Sequence, residues 1–294
     1  MKRQTRTSRH PDDILSRARR GGYAIGAFNV SSHTVLKAIV QAAHRLRSPV
    51  IIETSSGETA FMGAEVQAAV LALYERQYNI PILINLDHAK SYREVKIAMD
   101  AGYEMVHFDG SELPRASNIR ILKRVVREAH RRQLLVEGEL DHITGSSEWH
   151  RGMRMERELG KGSLTDPDAA VSFVRASGID VFAPFIGNVH GVFQNRERLN
   201  FALLQELADR LPCFLSLHGG SGIRRDHVRR AISLGISKIN VNTELRIAYV
   251  TTLRKVLATQ KNEIAPYKLM PPVIAAVQKV VEEKIRLFGS VGKA

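Results

Sequence analysis

The chain has 294 residues, 44% of them hydrophobic and 25% charged, an ordinary globular composition with enough apolar material for a large core. Its single cysteine, Cys213, excludes an intrachain disulfide and points to a reducing compartment. The formal net charge is +13, and no window holds the roughly 18 uninterrupted apolar residues that a membrane span needs.

The N-terminal segment 1–20 is polar and basic. Lys2, Arg3, Arg6, Arg9, Arg17, Arg19 and Arg20 face only Asp12 and Asp13 there. No apolar stretch of a secretory signal follows, so a cytoplasmic chain is expected. The remaining positive charge is scattered along helical text such as LKRVVREAHRR (122–132). With no interleaved aromatics and no nucleic-acid motif, it reads as a solvated basic surface, and neither nucleic acid nor membrane is expected as a partner.

From residue 23 onward, short apolar runs alternate with helical text. The runs are YAIGAFNV (23–30), SPVIIETS (48–55), PILINLDH (81–88), EMVHFDGS (104–111), LLVEGELD (134–141), DVFAPFIGN (180–188), CFLSLHGG (213–220) and SKINVNTE (237–244). Runs that are apolar nearly throughout suit strands buried on both faces. Between them, 33–46 sets Val35, Ile39 and Ala42 or Ala43 on one helical face, and 118–132 does the same with Ile119, Leu122, Val126 and Ala129. Residues 166–177 open on Asp166-Pro167, an N-cap and first-turn proline, and stop before Gly178. Segments 200–210 and 224–234 behave alike. Eight such units predict an α/β fold, a closed (β/α)8 TIM barrel forming one domain over 1–294, in preference to an open doubly wound sheet.

Two stretches depart from the alternation. Residues 142–165 form a polar, charged insertion after the fifth strand, expected to be a mobile active-site loop. Residues 253–294 read as extra C-terminal helices, with Val273, Val277, Val281 and Ile285 in helical register.

In such barrels the C-terminal strand ends form one rim that carries the active site. Here the strand ends bear Asn29, Ser55, Asp87 with His88, Asp109, Glu139, Asn188 with His190, His218, and Asn240 with Asn242. Three histidines at comparable positions could leave an open fourth position on a catalytic zinc. They could equally be unrelated rim residues in a chain with eleven histidines, and spacing alone leaves both readings open. His33, His44, His130 and His227 fall in helical text and read as surface residues; His107, inside the fourth strand, is ambiguous. HGGSG (218–222) is either a plain tight turn or a phosphate cradle at a helix N-terminus. Its position after strand seven, beside NVNT (240–243), favours the cradle.

Taken with GGYAIGAFNV (21–30), NLDHAKSY (85–92), VEGELDHITG (136–145), GIDVFAPFIGNVHGVF (178–193), LHGGSGI (217–223) and SKINVNTELR (237–246), these residues give the chain a near end-to-end resemblance to a known family. It resembles the class II, zinc-dependent fructose-bisphosphate and tagatose-bisphosphate aldolases. The resemblance implies aldol cleavage of a phosphorylated ketose to dihydroxyacetone phosphate and glyceraldehyde 3-phosphate. It implies Zn2+ on His88, His190 and His218, with Asp109 and Glu139 as acidic positions near the metal. Asp87 becomes the proton shuttle at the C4 hydroxyl, and Glu148 the loop carboxylate for the C3 proton. Gly191, Gly219, Ser221, Asn242 and Thr243 are assigned to phosphate, Asn240 to the enediolate, and Asn29 and Ser55 to substrate. Some members bind a monovalent cation, Na+ or K+, near that phosphate, and relatives are homo-oligomers, dimers or tetramers.

The chain also departs from the family pattern. Ala89 follows the Asp-His pair where glycine is usual, Ser146 replaces a loop glycine, and Gln194 stands near a usual lysine, with Arg196 or Arg198 as substitutes. These departures make an aldolase for a different phosphorylated sugar the second reading. A non-catalytic scaffold using the basic N-terminus to bind nucleic acid is the third.

Overall fold

Strands that are apolar on both faces need cover on both sides, and a closed barrel inside a ring of helices supplies it. The computed structural model describes residues 10–150, 163–193 and 199–294. The barrel strands are β1 (Ile25–Asn29), β2 (Val50–Ser55), β3 (Ile82–Ala89), β4 (Met105–Phe108), β5 (Leu135–Glu139), β7 (Val181–Ala183), β9 (Phe214–Leu217) and β10 (Ile236–Val241). All pair in parallel, in chain order, and β10 closes on β1 with Ile25 opposite Lys238 and Phe28 opposite Val241. This is the expected (β/α)8 barrel. A separate two-stranded parallel sheet joins β6 (Gly145–Trp149) to β8 (His190–Val192).

The helices are α1 (Pro11–Gly21), α2 (His33–Arg45), α3 (Ser56–Met62), α4 (Ala64–Tyr78), α5 (Tyr92–Ala101), α6 (Arg115–Arg131), α7 (Pro167–Ser177), α8 (Phe201–Arg210), α9 (Arg225–Ser233), α10 (Thr243–Thr259) and α11 (Pro266–Phe288). Their ends follow local chemistry. Asp166 accepts from the Ala169 amide before Pro167, and Gly178 closes α7 in the left-handed region. On α11, Val273, Val277, Val281 and Ile285 are fully buried, and the helix packs on α2 and α10. Among the described residues no helix is long and apolar enough to cross a membrane.

Alternate residues of each strand face inward and stack in layers. The lowest layer is apolar: Ile25, Ala27, Ile51, Leu83, Met105, Leu135 and Val181 cluster with Ile14, Leu15 and Ala18 of α1. Two residues further along the strands come Glu53, Asn85, His107, Glu137, Ser216 and Lys238, all fully buried. Two further still come Ser55, Asp87, Asp109, Glu139, His218 and Asn240. The barrel therefore grades from an apolar floor through a charged middle to a polar mouth.

Three local expectations change. Segment 1–20 is not simply a basic arm: Pro11 starts α1, whose first turn carries Asp12 and Asp13 and whose last carries Arg19 and Arg20, complementing the helix dipole while its apolar face plugs the barrel floor. Residues 1–9 lie outside the described residues. The 142–165 insertion begins with strand β6 rather than an irregular loop; Gly145, at φ +92°, passes so close to the His190 carbonyl oxygen that a Cβ would lie 2.4 Å from it. Residues 151–162 lie outside the described residues. His190 is not on the sixth barrel strand, which ends at Ala183, but on β8 beyond it.

Candidate active site

In an unbroken strand Asp87 and His88 would face opposite sides. The β3–β4 register shifts between Leu86 and Ala89, and His88 adopts φ +50°. This bulge lets both side chains line the same pocket. The left-handed residue is His88, so the alanine at 89 needs no special backbone, and its methyl is fully buried in the core.

The pocket holds about 220 Å3 at the barrel mouth. His88 Nδ1 lies 2.9 Å from Asp109 Oδ2, His218 Nε2 lies 2.8 Å from Glu137 Oε1, and His190 Nδ1 lies 3.2 Å from the Ile143 carbonyl oxygen. At His190 and His218 the contact assigns the ring proton to an oxygen and leaves a lone pair on the other nitrogen, whereas Asp87, Asp109 and Glu139 hold the His88 pKa above its usual value despite burial. His88 Nε2 and His218 Nδ1 face each other at 3.0 Å, where a proton on His88 bridges to the neutral His218 ring and a cation could take that proton's place. The His190 ring centre lies 5.1 Å from that of His88 and 5.8 Å from that of His218. Asp87, His88, His107 and His218 each offer an atom within 4.8 Å of the others, as do His88, Asp109 and Glu139.

The charges point the same way. Burial, with His88 nearby, pushes His190 down to about 3, and burial pushes His218 down to about 4, so both rings are neutral. Burial, reinforced by Asp109, pushes Glu139 up to about 8. Asp87 is buried, yet His88, His107 and His218 hold its carboxyl well below the usual range, and it stays ionised. Neutral imidazoles among crowded carboxylates are the donor set of a divalent cation site.

Beneath lies the charged middle layer. Lys238 Nζ is 2.7 Å from Glu53 Oε1, 2.8 Å from Glu137 Oε2 and 2.7 Å from Asn240 Oδ1. Asn85 donates to Glu53 at 2.9 Å, and Ser216 donates to Glu137. His107 stands between Asp87 and Glu139, 3.7 Å from each.

On the other side of the mouth is the glycine-rich turn. Gly219 sits at φ +68°, where a Cβ would lie 2.1 Å from the Val189 carbonyl oxygen, so only glycine fits without a backbone shift. Gly191, Gly219, Gly220, Ser221, Asn242 and Thr243 line this side of the pocket. Asn242 precedes α10 without making a side-chain cap, and a helix N-terminus of this kind favours an anionic group.

Of the residues singled out from the sequence, Asn29, Asp87, His88, Asp109, His190, Gly191, His218, Gly219, Ser221, Asn240, Asn242 and Thr243 line one pocket. Glu139 is fully buried behind it, 3.7 Å from His88 Nδ1. Ser55 caps α3 in a reciprocal box with Glu58 rather than lining the pocket. Glu58 in turn pairs with Arg246 at 2.9 Å. Glu148 is exposed on β6; Gly145 and Ser147 of that strand reach the pocket and Glu148 does not. Gln194, Arg196 and Arg198 lie outside the described residues. The sequence reading left His107 undecided and passed over Glu53, Asn85, Glu137 and Lys238. Reading each strand two residues back from its polar end would have found them.

Comparisons with known proteins agree with this geometry. The family model for fructose-bisphosphate aldolase class-II matches residues 10–293. A fructose-bisphosphate aldolase of Geobacillus stearothermophilus is 39% identical, over 96% of this chain and 97% of its own. A 6-phospho-5-dehydro-2-deoxy-D-gluconate aldolase of Bacillus licheniformis is 36% identical, over 96% of this chain and 95% of its own. Among solved structures, the YdjI aldolase from Escherichia coli K12 superposes with a TM-score of 0.81 at 32% identity, covering 96% of this chain and 97% of that one. Matched over nearly its whole length by that family, the chain belongs to the class II fructose-bisphosphate aldolases and is an aldolase, a carbon–carbon lyase.

Proposed function

We propose that the enzyme cleaves fructose 1,6-bisphosphate or tagatose 1,6-bisphosphate reversibly to dihydroxyacetone phosphate and glyceraldehyde 3-phosphate, with zinc held by His88, His190 and His218. The observation that carries this reading is the set of three histidines meeting at the pocket, each with one ring nitrogen engaged by an oxygen, with His88 Nε2 and His218 Nδ1 only 3.0 Å apart. When bound, zinc supplies Lewis-acid stabilisation of the charge that develops on the enediolate.

The chain's own groups do the rest. The turn at Gly219 and Ser221, with Gly191, Asn242 and Thr243, holds the C1 phosphate. Asp87, ionised in the pocket, takes the proton from the C4 hydroxyl as the C3–C4 bond breaks and its electron pair moves to C3. The Asn240 amide donates to an enediolate oxygen. Glu148, brought over the mouth by movement of its strand, delivers the proton to C3. A monovalent cation, Na+ or K+, would sit beside the phosphate. Assembly into a dimer or tetramer would cover the exposed Phe61, Ile264 and Tyr267.

A second reading, a different phosphorylated sugar with the same proximal half, is favoured by the 36% identity to an aldolase named for a phosphorylated sugar acid. The test is cleavage of both bisphosphates by purified protein, with EDTA and with zinc added back. Zinc-restored cleavage supports the first reading. Failure on both, with zinc bound, overturns it in favour of the second.

A further inference from the structure

Beneath the pocket lies a fully buried charged group that does not line it. Lys238 is fully buried on β10, yet its Nζ meets three oxygens at 2.7–2.8 Å from three different strands: Glu53 of β2, Glu137 of β5 and Asn240 of its own strand. Its neighbours raise its pKa despite burial, so the ammonium is charged. An ammonium has three donors and no acceptor. The Asn240 atom facing it must therefore be the amide oxygen, because an amide NH2 there would set donor against donor. That settles the orientation of Asn240: its Nδ2 turns to the mouth, 3.4 Å from Asp87 Oδ1 and 3.4 Å from the His218 ring nitrogens. Through the other oxygen of Glu137, the same ammonium braces the carboxylate that holds His218 Nε2.

We propose that Lys238 is a positioning residue for the aldol reaction. It fixes the Asn240 amide with its NH2 toward the reacting atoms and fixes the carboxylate that sets the His218 tautomer. One buried charge thus bears on two neighbouring groups of the site, Asn240 directly and His218 through Glu137. An isosteric neutral side chain would leave Asn240 free to turn its oxygen toward Asp87 and the enediolate, where an acceptor repels the developing charge. This inference rests on the aldolase reading above, because Asn240 acts on an enediolate.

The test is solvent exchange of the C3 hydrogen of dihydroxyacetone phosphate, which reads enediolate formation, on zinc-loaded protein. The wild-type arm tests the aldolase reading by itself: no exchange sinks that reading, whatever the variants do. Three variants follow, Lys238→Met, Asn240→Ala and the pair. Lys238→Met should slow kcat for exchange on the order of 10- to 100-fold, with KM nearly unchanged. In the Asn240→Ala background its further effect should be markedly smaller, limited to what passes through Glu137 to His218. Multiplying effects in the pair, or an unchanged kcat in Lys238→Met, would overturn the proposal. Removing the ammonium leaves Glu53 and Glu137 without their shared cation, so Lys238→Met is also made with Glu53→Gln, which removes one of the two crowded acids. The same non-additivity with Asn240→Ala is expected there, and its absence counts equally against the proposal.

Discussion

Glu137→Gln tests whether the metal site is tuned from below. Glu137 Oε1 takes the His218 Nε2 proton at 2.8 Å and a second bond from Ser216, while Oε2 pairs with Lys238 at 2.8 Å. Glutamine keeps the shape but has one acceptor oxygen. If that oxygen stays on His218, the amide NH2 meets the Lys238 ammonium; if it turns to Lys238, the NH2 meets the His218 N–H. Either way one charge-assisted contact becomes a donor–donor clash. Loss of a carboxylate behind a metal-binding histidine costs roughly 10- to 100-fold in metal affinity, or about 1.4–2.7 kcal/mol. The fold should survive, because Lys238 keeps Glu53 at 2.7 Å and the buried layer loses an excess negative charge. The assay is zinc affinity by competition with a chelating dye, alongside thermal melting of the zinc-free protein. Zinc affinity within twofold of wild type would refute the argument, and so would a weakened affinity explained by an unfolded protein.

Two further perturbations separate the cradle from the scaffold. In Gly219→Ala the new Cβ would lie 2.1 Å from the Val189 carbonyl oxygen at φ +68°. The turn must shift at a cost of about 1–3 kcal/mol, and KM for the ketose phosphate should rise on the order of tenfold or more; an unchanged KM would remove the phosphate from this turn. In Val277→Ala, a fully buried side chain of α11 is truncated far from the mouth. Melting should fall by an amount equivalent to about 2 kcal/mol with kcat unchanged, and a lost kcat would mean that α11 shapes the site.

The sequence made the architecture legible because the barrel repeats one signal eight times. It made the rim legible because strands ending in Asp87-His88 or His218-Gly219 break an apolar run visibly. The middle layer was hidden by the same runs. Glu53, Glu137 and Lys238 lie inside text such as PVIIETS, LLVEGEL and SKINV, where one charge among β-branched neighbours looks like an interruption. It becomes a layer only when six strands are aligned in register and every second residue is read. His88 was found for its residue type, but the bulge that lets it share a pocket with Asp87 depends on a left-handed backbone that no residue type there announces. Ser55 reads equally as a rim donor and as the N-cap of the next helix, and the cap is present, with Glu58 three residues later completing the box.

The charge balance of these layers has a consequence for stability. Glu53 and Glu137 share one buried ammonium, Asp109 pairs with Lys90 at 2.7 Å, and Asp87 and Glu139 stand among imidazoles of which His190 and His218 are neutral. Glu53 and Glu139 are both pushed up to about 8, burial being the main cause in each, so the zinc-free barrel holds unionised or repelling acids in its centre. A divalent cation at the histidines would relieve that excess, and the site should exist only in the folded chain. Zinc at 100 times its dissociation constant then contributes about 2.7 kcal/mol. For a chain of this size that corresponds to a melting temperature higher by roughly 4–5 °C. Magnesium should do little, because it prefers oxygen ligands in octahedral geometry and gains little from imidazole. Differential scanning fluorimetry of stripped protein titrated with each ion decides the matter. Equal shifts for zinc and magnesium would mean that carboxylates at the mouth bind the ion, and no shift with zinc would mean that the three histidines do not form a metal site.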